Sequence, residues 1–107
     1  MDSKLKRVYG PMSEPAFYIL FCLQEPQHGY GIGQEVKAMT KGEVSISPGP
    51  MYGTLSKMEK DGLINFVSEA EKRKIYEITE LGREILTTEM NRIKRIYINS
   101  IGDEYNG

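Results

Sequence analysis

The stretch from Ser47 to Arg83 constrains the fold more than any other part of this chain, because the pattern changes there from helix to hairpin and back to helix. Ser47-Pro48 reads as an N-cap followed by proline at the first helical position, where the missing N–H costs nothing. Met51, Leu55 and Met58 then recur at i, i+4 and i+7, one buried stripe of a helix reaching Lys60. Gly62 stands where a helix C′ glycine belongs. Leu63–Ser68 and Ile75–Ile78 read as the two strands of a hairpin, with Phe66, Tyr76 and Ile78 on one face. Glu69-Ala70-Glu71-Lys72 is the expected turn; no Asn-Gly dipeptide specifies it. Thr79 is an acceptable N-cap for a further helix, and Glu80 suits the positive end of its dipole.

Upstream, Gly10-Pro11 separates a basic N-terminal arm (residues 1–10, with Lys4, Lys6 and Arg7) from a helix capped by Ser13. Ala16, Phe17, Ile19, Leu20, Phe21 and Leu23 make that helix apolar on most sides, which predicts a central position. Glu25 to Gly29 is a turn. A second helix spans about Tyr30–Thr40, with Ile32, Val36 and Met39 at helical spacing and His28 at its start. Val44-Ser45-Ile46 alternates like a short strand. Downstream of Thr79 one long helix runs to about Ile101, with Leu86, Met90, Ile93 and Tyr97 at spacings of four and three, the coiled-coil period. Residues 102–107 read as a frayed tail.

A chain of 107 residues is one domain with a modest core, too small for a deep enclosed active site as well. No apolar run approaches the roughly 20 residues of a membrane helix, and the run Ala16–Leu23 lacks the features of a signal peptide. A single cysteine, Cys22, excludes an internal disulfide or a cysteine-rich zinc site. A cytoplasmic location, with no membrane partner, is the simplest expectation. No carboxylate pair, nucleophile–base pair or phosphate-cradling loop is apparent, so neither an enzyme nor a cofactor or metal is expected.

The order of elements predicts a mainly α fold with a small β-hairpin: a winged helix-turn-helix over residues 1–78, followed by a C-terminal helix over 79–101. Net charge is −1, but the basic residues cluster. If Met51, Leu55 and Met58 face the core, the opposite side of their helix carries small residues, which let a helix sink into the DNA major groove. Gly49, Pro50, Gly53 and Thr54 are the candidates for base reading. Ser47, Lys57 and Lys60 are candidates for phosphate contacts, as are Lys72, Arg73 and Lys74 of the hairpin, which would lie over the neighbouring backbone or minor groove. Tyr52 either packs under the hairpin or points its hydroxyl at a phosphate. The competing interpretation is an ordinary surface helix with solvated charges, or a winged helix that binds protein instead of DNA.

The set Pro26-Gln27-His28-Gly29-Tyr30, Ser47-Pro48-Gly49, Met51-Tyr52, Leu55, Gly62-Leu63-Ile64, Arg73-Lys74-Ile75-Tyr76, Thr79 and Gly82-Arg83, with Leu86, resembles the PadR family of transcriptional regulators. The resemblance spans roughly Ala16–Leu86. It implies a dimer built through the C-terminal helix and, usually, repression released by a small molecule. The sequence departs from the family pattern at Gly31, Pro50-Met51 and Ile75, where the family often has glutamate, Thr-Leu and a second aromatic.

The stripe Leu86, Met90, Ile93, Tyr97 and Ile101 would leave several hundred Å2 of apolar surface on a monomer, more than monomers usually expose. A two-fold homodimer that also uses Phe17 and Phe21 would cover it; packing back onto the chain's own first helix is the alternative. Such a dimer presents two recognition helices about one DNA turn apart and predicts a palindromic site. Phe17, Met90 and Tyr97 either line an effector pocket at this interface, as the resemblance implies, or simply pack in it.

Overall fold

The computed structural model describes residues 3–107. The elements are α1 (Ser3–Tyr9), α2 (Glu14–Cys22), α3 (Gly29–Met39), α4 (Pro48–Lys60), β1 (Ile64–Ala70), β2 (Arg73–Ile78) and α5 (Glu80–Ser100). The architecture is mainly α with a two-stranded antiparallel hairpin, as the residue pattern predicts.

Local chemistry sets most boundaries. The Ser13 hydroxyl accepts the Ala16 N–H at 3.2 Å and starts α2. His28 Nδ1 accepts the Gly31 N–H at 3.0 Å and starts α3 one residue earlier than its apolar spacing suggests. Gly62, at φ +82°, ends α4 in a conformation that favours glycine. Thr79 caps α5 by accepting the Gly82 N–H at 3.1 Å, and its hydroxyl donates to the Gly62 carbonyl at 2.6 Å, tying the start of α5 to the end of α4. Gly82 is required by closeness rather than by its dihedrals, since a methyl group there would overlap the Leu63 carbonyl oxygen.

Ile19, Leu20 and Leu23 are fully buried, which makes α2 the central helix. Ile32 and Val36 of α3, and Met51, Leu55 and Met58 of α4, close around it. Leu63 and Ile64 at the root of the hairpin and Ile85 and Leu86 of α5 complete the core.

The structure departs from the sequence expectations in several places. The basic N-terminal segment contains helix α1, to which the residue pattern assigns no secondary structure, and it docks through Tyr9, which is 6% exposed. Of the predicted arm, Met1, Asp2 and the side chains of Lys6 and Arg7 lie outside the described residues. Val44–Ile46 is not a strand. It makes no ladder, and Val44 and Ile46 instead pack half-buried on the core. Met39 belongs to the α3 spacing but is exposed, because the helix ends there beyond the reach of the core.

The hairpin is longer than predicted, and its turn is shorter. Ala70 pairs with Arg73, leaving a two-residue turn in which Glu71 and Lys72 have φ of 52° and 64°. Positive φ at both central positions is the twist-matched turn of tight hairpins, normally supplied by Asn-Gly. Here the strands impose it on two ordinary residues, at about 1 kcal/mol each. Ile64 stands opposite Ile78 and Phe66 opposite Tyr76, so Phe66, Tyr76 and Ile78 share a face as expected, and a register shift between Phe66 and Ser68 breaks the alternation beyond them. Tyr76 also exchanges backbone hydrogen bonds with Gln27, at 3.0 and 2.9 Å, so the turn before α3 acts as a third strand beside β2.

Candidate nucleic-acid interface

The outer side of α4 is uncovered. Opposite the buried Met51, Leu55 and Met58 stand Gly49, Gly53, Ser56 and Lys60, all exposed and in one line at helical spacing. Neither Gly49 nor Gly53 has an atom within 4 Å of where a Cβ would sit, and neither needs a positive φ. Each weakens the helix by roughly 1 kcal/mol relative to alanine with no compensating contact in the protomer. Ser56 was not among the sequence candidates. Only its place between Gly53 and Lys60 along the exposed stripe of α4 marks it.

The start of α4 presents few donors. Ser47 occupies the N-cap position but makes no side-chain cap bond, because Pro50 stands at the third helical position and has no N–H to offer. Pro48 removes another, leaving the Gly49 amide as the available donor of the first three.

The flanks of α4 differ. Tyr52 turns toward α3, where its ring lies against Gly29; it is 52% exposed and not beneath the hairpin. With Tyr30, Gly33, Lys37 and Pro48 it lines a shallow groove of about 270 Å3 between α3 and the start of α4. Thr54, a base-reading candidate, is half-buried, and Pro50 is exposed beside it. On the opposite flank the Lys57 ammonium pairs with the Asp61 carboxylate at 3.1 Å and lies 5.2 Å from the centre of the Tyr9 ring. The Tyr9 hydroxyl donates to the same carboxylate at 2.7 Å. The Tyr9 hydrogen bond, with Lys57 and Lys60 nearby, holds the Asp61 carboxyl below its ordinary value. Burial and the Asp61 charge push the Tyr9 phenol well above its own.

The hairpin projects beside this face with Lys72, Arg73 and Lys74 exposed. Lys72 and Lys74 have no charged partner among the described residues. The Arg73 guanidinium lies 4.6 Å from the centre of the Tyr30 ring on α3. At the hairpin root, burial and the nearby Glu59 carboxylate raise the Tyr76 phenol.

Only part of the expected α5 stripe is available. Leu86 is 2% exposed and belongs to the protomer's own core, because the first half of α5 packs on α2. Met90, Ile93, Tyr97 and Ile101 are 41–63% exposed, and Ile96 joins them at 51%. Phe17 and Phe21 are half-buried with their rings stacked at 6.2 Å. A cavity of about 760 Å3 beside α5 is lined by Tyr9, Pro11, Arg92, Arg95, Ile96 and Tyr105, among others, and Phe17, Met90 and Tyr97 do not border it. At its floor the buried Glu89 carboxylate accepts the Met12 N–H at 2.5 Å and two bonds from Arg92 at 3.0 and 3.1 Å. Among the described residues, no helix is long and apolar enough to cross a membrane.

The profile of the PadR-like family of transcriptional regulators matches residues 19–88. An uncharacterized protein of Lysinibacillus sphaericus is 33% identical over 69 residues, covering 61% of this chain and 63% of that relative. A transcriptional regulator of Clostridium thermocellum shares the fold, with a TM-score of 0.69 at 22% identity over 96% of this chain and 99% of its own. Bacillus subtilis PadR, solved in complex with operator DNA, superposes with a TM-score of 0.64 at 26% identity over 75% of this chain and 48% of its own. The present chain thus spans less than two thirds of that first curated relative and about half of the Bacillus protein. With the family profile matching most of a chain whose elements follow the winged-helix order, this protein belongs to the PadR-like family of transcriptional regulators.

Proposed function

We propose that this protein is a cytoplasmic repressor that binds a palindromic DNA operator as a homodimer. Helix α4 enters the major groove, with Gly49, Pro50, Gly53 and Thr54 nearest the bases and Ser56 added to that group. Ser47, Tyr52, Lys57, Lys60 and the hairpin's Lys72, Arg73 and Lys74 contact phosphates. Residues 1–78 form the DNA-binding unit. Residues 79–101 supply the dimer contact, through Met90, Ile93, Tyr97 and Ile101 with Phe17 and Phe21 alongside, and a small aromatic ligand held there releases the DNA.

The observation that carries this reading is the uncovered line Gly49, Gly53, Ser56, Lys60, whose glycines weaken α4 without serving any contact inside the protomer. The operator complex of Bacillus subtilis PadR supports the choice of DNA as partner.

Fluorescence anisotropy of a labelled duplex from upstream of the protein's own gene, beside a scrambled duplex, tests it across a salt series. Preferential binding at one dimer per site is expected, with a slope of about 0.9 log units per log unit of salt for each phosphate contact. Absence of binding even at low salt refutes it and favours a protein partner for the exposed face.

A further inference from the structure

We infer that Tyr30 is a positioning residue for DNA binding: its ring holds Arg73 and thereby fixes the outer half of the hairpin relative to α4. The inference rests on the DNA-binding reading proposed above.

Among the described residues, the hairpin is hydrogen-bonded to the body of the protein only at its root. Ile64 is buried, and the remaining residues of β1 are exposed to the tip. On the β2 side the backbone bonds to the body end at Tyr76, through Gln27, and at Ile78, through Leu23. Among the described residues no hydrogen bond or ion pair joins residues 67–75 to the helices. An antiparallel pair of this kind hinges at the register shift after Phe66, and the positive-φ turn does nothing to hold its tip.

The contact that spans the gap is Arg73 on Tyr30, 4.6 Å from guanidinium carbon to ring centre. Tyr30 is itself prepared for this. Its hydroxyl accepts from Gln34 Nε2 at 3.1 Å, and the His28 ring stacks on it at 6.5 Å with 27° between the planes. His28 in turn is held by the bond from the Gly31 N–H that starts α3. Tyr30, 52% exposed, is therefore oriented chiefly by the His28 stack, with the exposed Gln34 bond a minor restraint, and presents a ring face to the hairpin. Guanidinium over an aromatic face is an attractive arrangement for which lysine is a poorer substitute.

The consequence is a division of labour among the three hairpin cations. Arg73 is engaged with α3 in addition to its proposed phosphate contact, while Lys72 and Lys74 on either side of it have no charged partner among the described residues. Tying Arg73 down sets the spacing between those two ammonium groups and the outer face of α4. The ordering entropy of the hairpin is then met before DNA arrives.

The test uses the full chain with Tyr30→Leu, Tyr30→Phe, Arg73→Gln and the Leu/Gln double variant. Duplex affinity is read by anisotropy, and amide exchange is followed at residues 70–75. Tyr30→Leu is expected to weaken duplex binding about three- to five-fold and to speed exchange at the tip, with Tyr30→Phe close to wild type in both. In the Arg73→Gln background the Tyr30→Leu change should have no further effect. An equal loss from Tyr30→Leu in both backgrounds, or a matching loss from Tyr30→Phe, overturns the inference and makes Tyr30 a direct DNA contact. If wild type binds no duplex, the DNA-binding reading fails by itself. Exchange at the tip then decides the clamp alone: acceleration in Tyr30→Leu but not Tyr30→Phe supports it, and unchanged exchange overturns it.

Discussion

The hydroxyl of Tyr9 donates a 2.7 Å hydrogen bond to the carboxylate of Asp61, tying the N-terminal helix to the last turn of the helix proposed to read DNA. Asp61 also holds Lys57 on that flank of α4, so a proposed phosphate contact is oriented by a residue at the far end of the chain.

Removing that bond should be visible in stability and its pH dependence. Tyr9→Phe is expected to destabilise the protein by about 1 kcal/mol in urea unfolding at neutral pH. The Asp61 carboxyl sits below its ordinary value in the folded state. Its contribution is therefore present above the unfolded carboxylate value, near 4, and is lost as pH falls through the lower native value. The gap between wild type and variant should narrow on acidification. A constant gap down to the acid limit argues that the effect is packing of the phenol alone.

Gly53 and Gly82 should respond to alanine in opposite directions. A Cβ at Gly53 meets open space, so Gly53→Ala is expected to stabilise the fold by roughly 1 kcal/mol while weakening operator binding. At Gly82 the same change drives a methyl into the Leu63 carbonyl and should cost about 1–3 kcal/mol or more. Thermal melts compare the two directly. Unimpaired operator affinity in Gly53→Ala removes close groove approach as the reason for that glycine.

The hairpin turn places Glu71 and Lys72 in a conformation suited to Asn-Gly. Installing Glu71→Asn with Lys72→Gly should raise the melting temperature by roughly 4–8 °C per kcal/mol gained, with about 1 kcal/mol expected. Duplex affinity should fall meanwhile, because Lys72 is lost. A lower melting temperature contradicts the assigned turn geometry.

Cys22 is buried, and that burial, with Glu35 nearby, pushes its thiol up to about 12. Reaction with a disulfide reagent at pH 8 should be slow in the native protein and fast in denaturant, since only the thiolate attacks. Rapid labelling of native protein contradicts the assignment of Cys22 to the inert core.

For the second half of α5, Ile93→Glu and Tyr97→Glu should convert a dimer to a monomer in light scattering without lowering the melting temperature of the monomer, because both side chains are exposed on the protomer. Leu86→Ala should instead destabilise the monomer by about 2–5 kcal/mol, since that side chain is buried there. An unchanged mass for both glutamate variants contradicts dimerisation through this face.

The sequence by itself determined the features that act over one or two helical turns. Ser13 and Thr79 as caps, Gly62 as a stop, the Met51-Leu55-Met58 stripe and the shared face of Phe66, Tyr76 and Ile78 all depend on near neighbours or on strand periodicity. The local rule failed at Ser47 for an equally local reason, the proline three residues later. Tertiary structure decided what such rules do not reach. Leu86 and Ile93 look alike on the α5 stripe, but only Leu86 falls where α2 can cover it. Lys57 resembles Lys60 in sequence, yet its partners come from Tyr9, whose hydroxyl meets Asp61 across 52 positions of chain, and from Asp61 itself. Glu89 looks like a solvated helix charge until Met12, 77 positions away, brings its N–H to the carboxylate. Periodicity says which face a residue occupies. What lies against that face depends on contacts between distant parts of the chain, and these exist only once the core has closed.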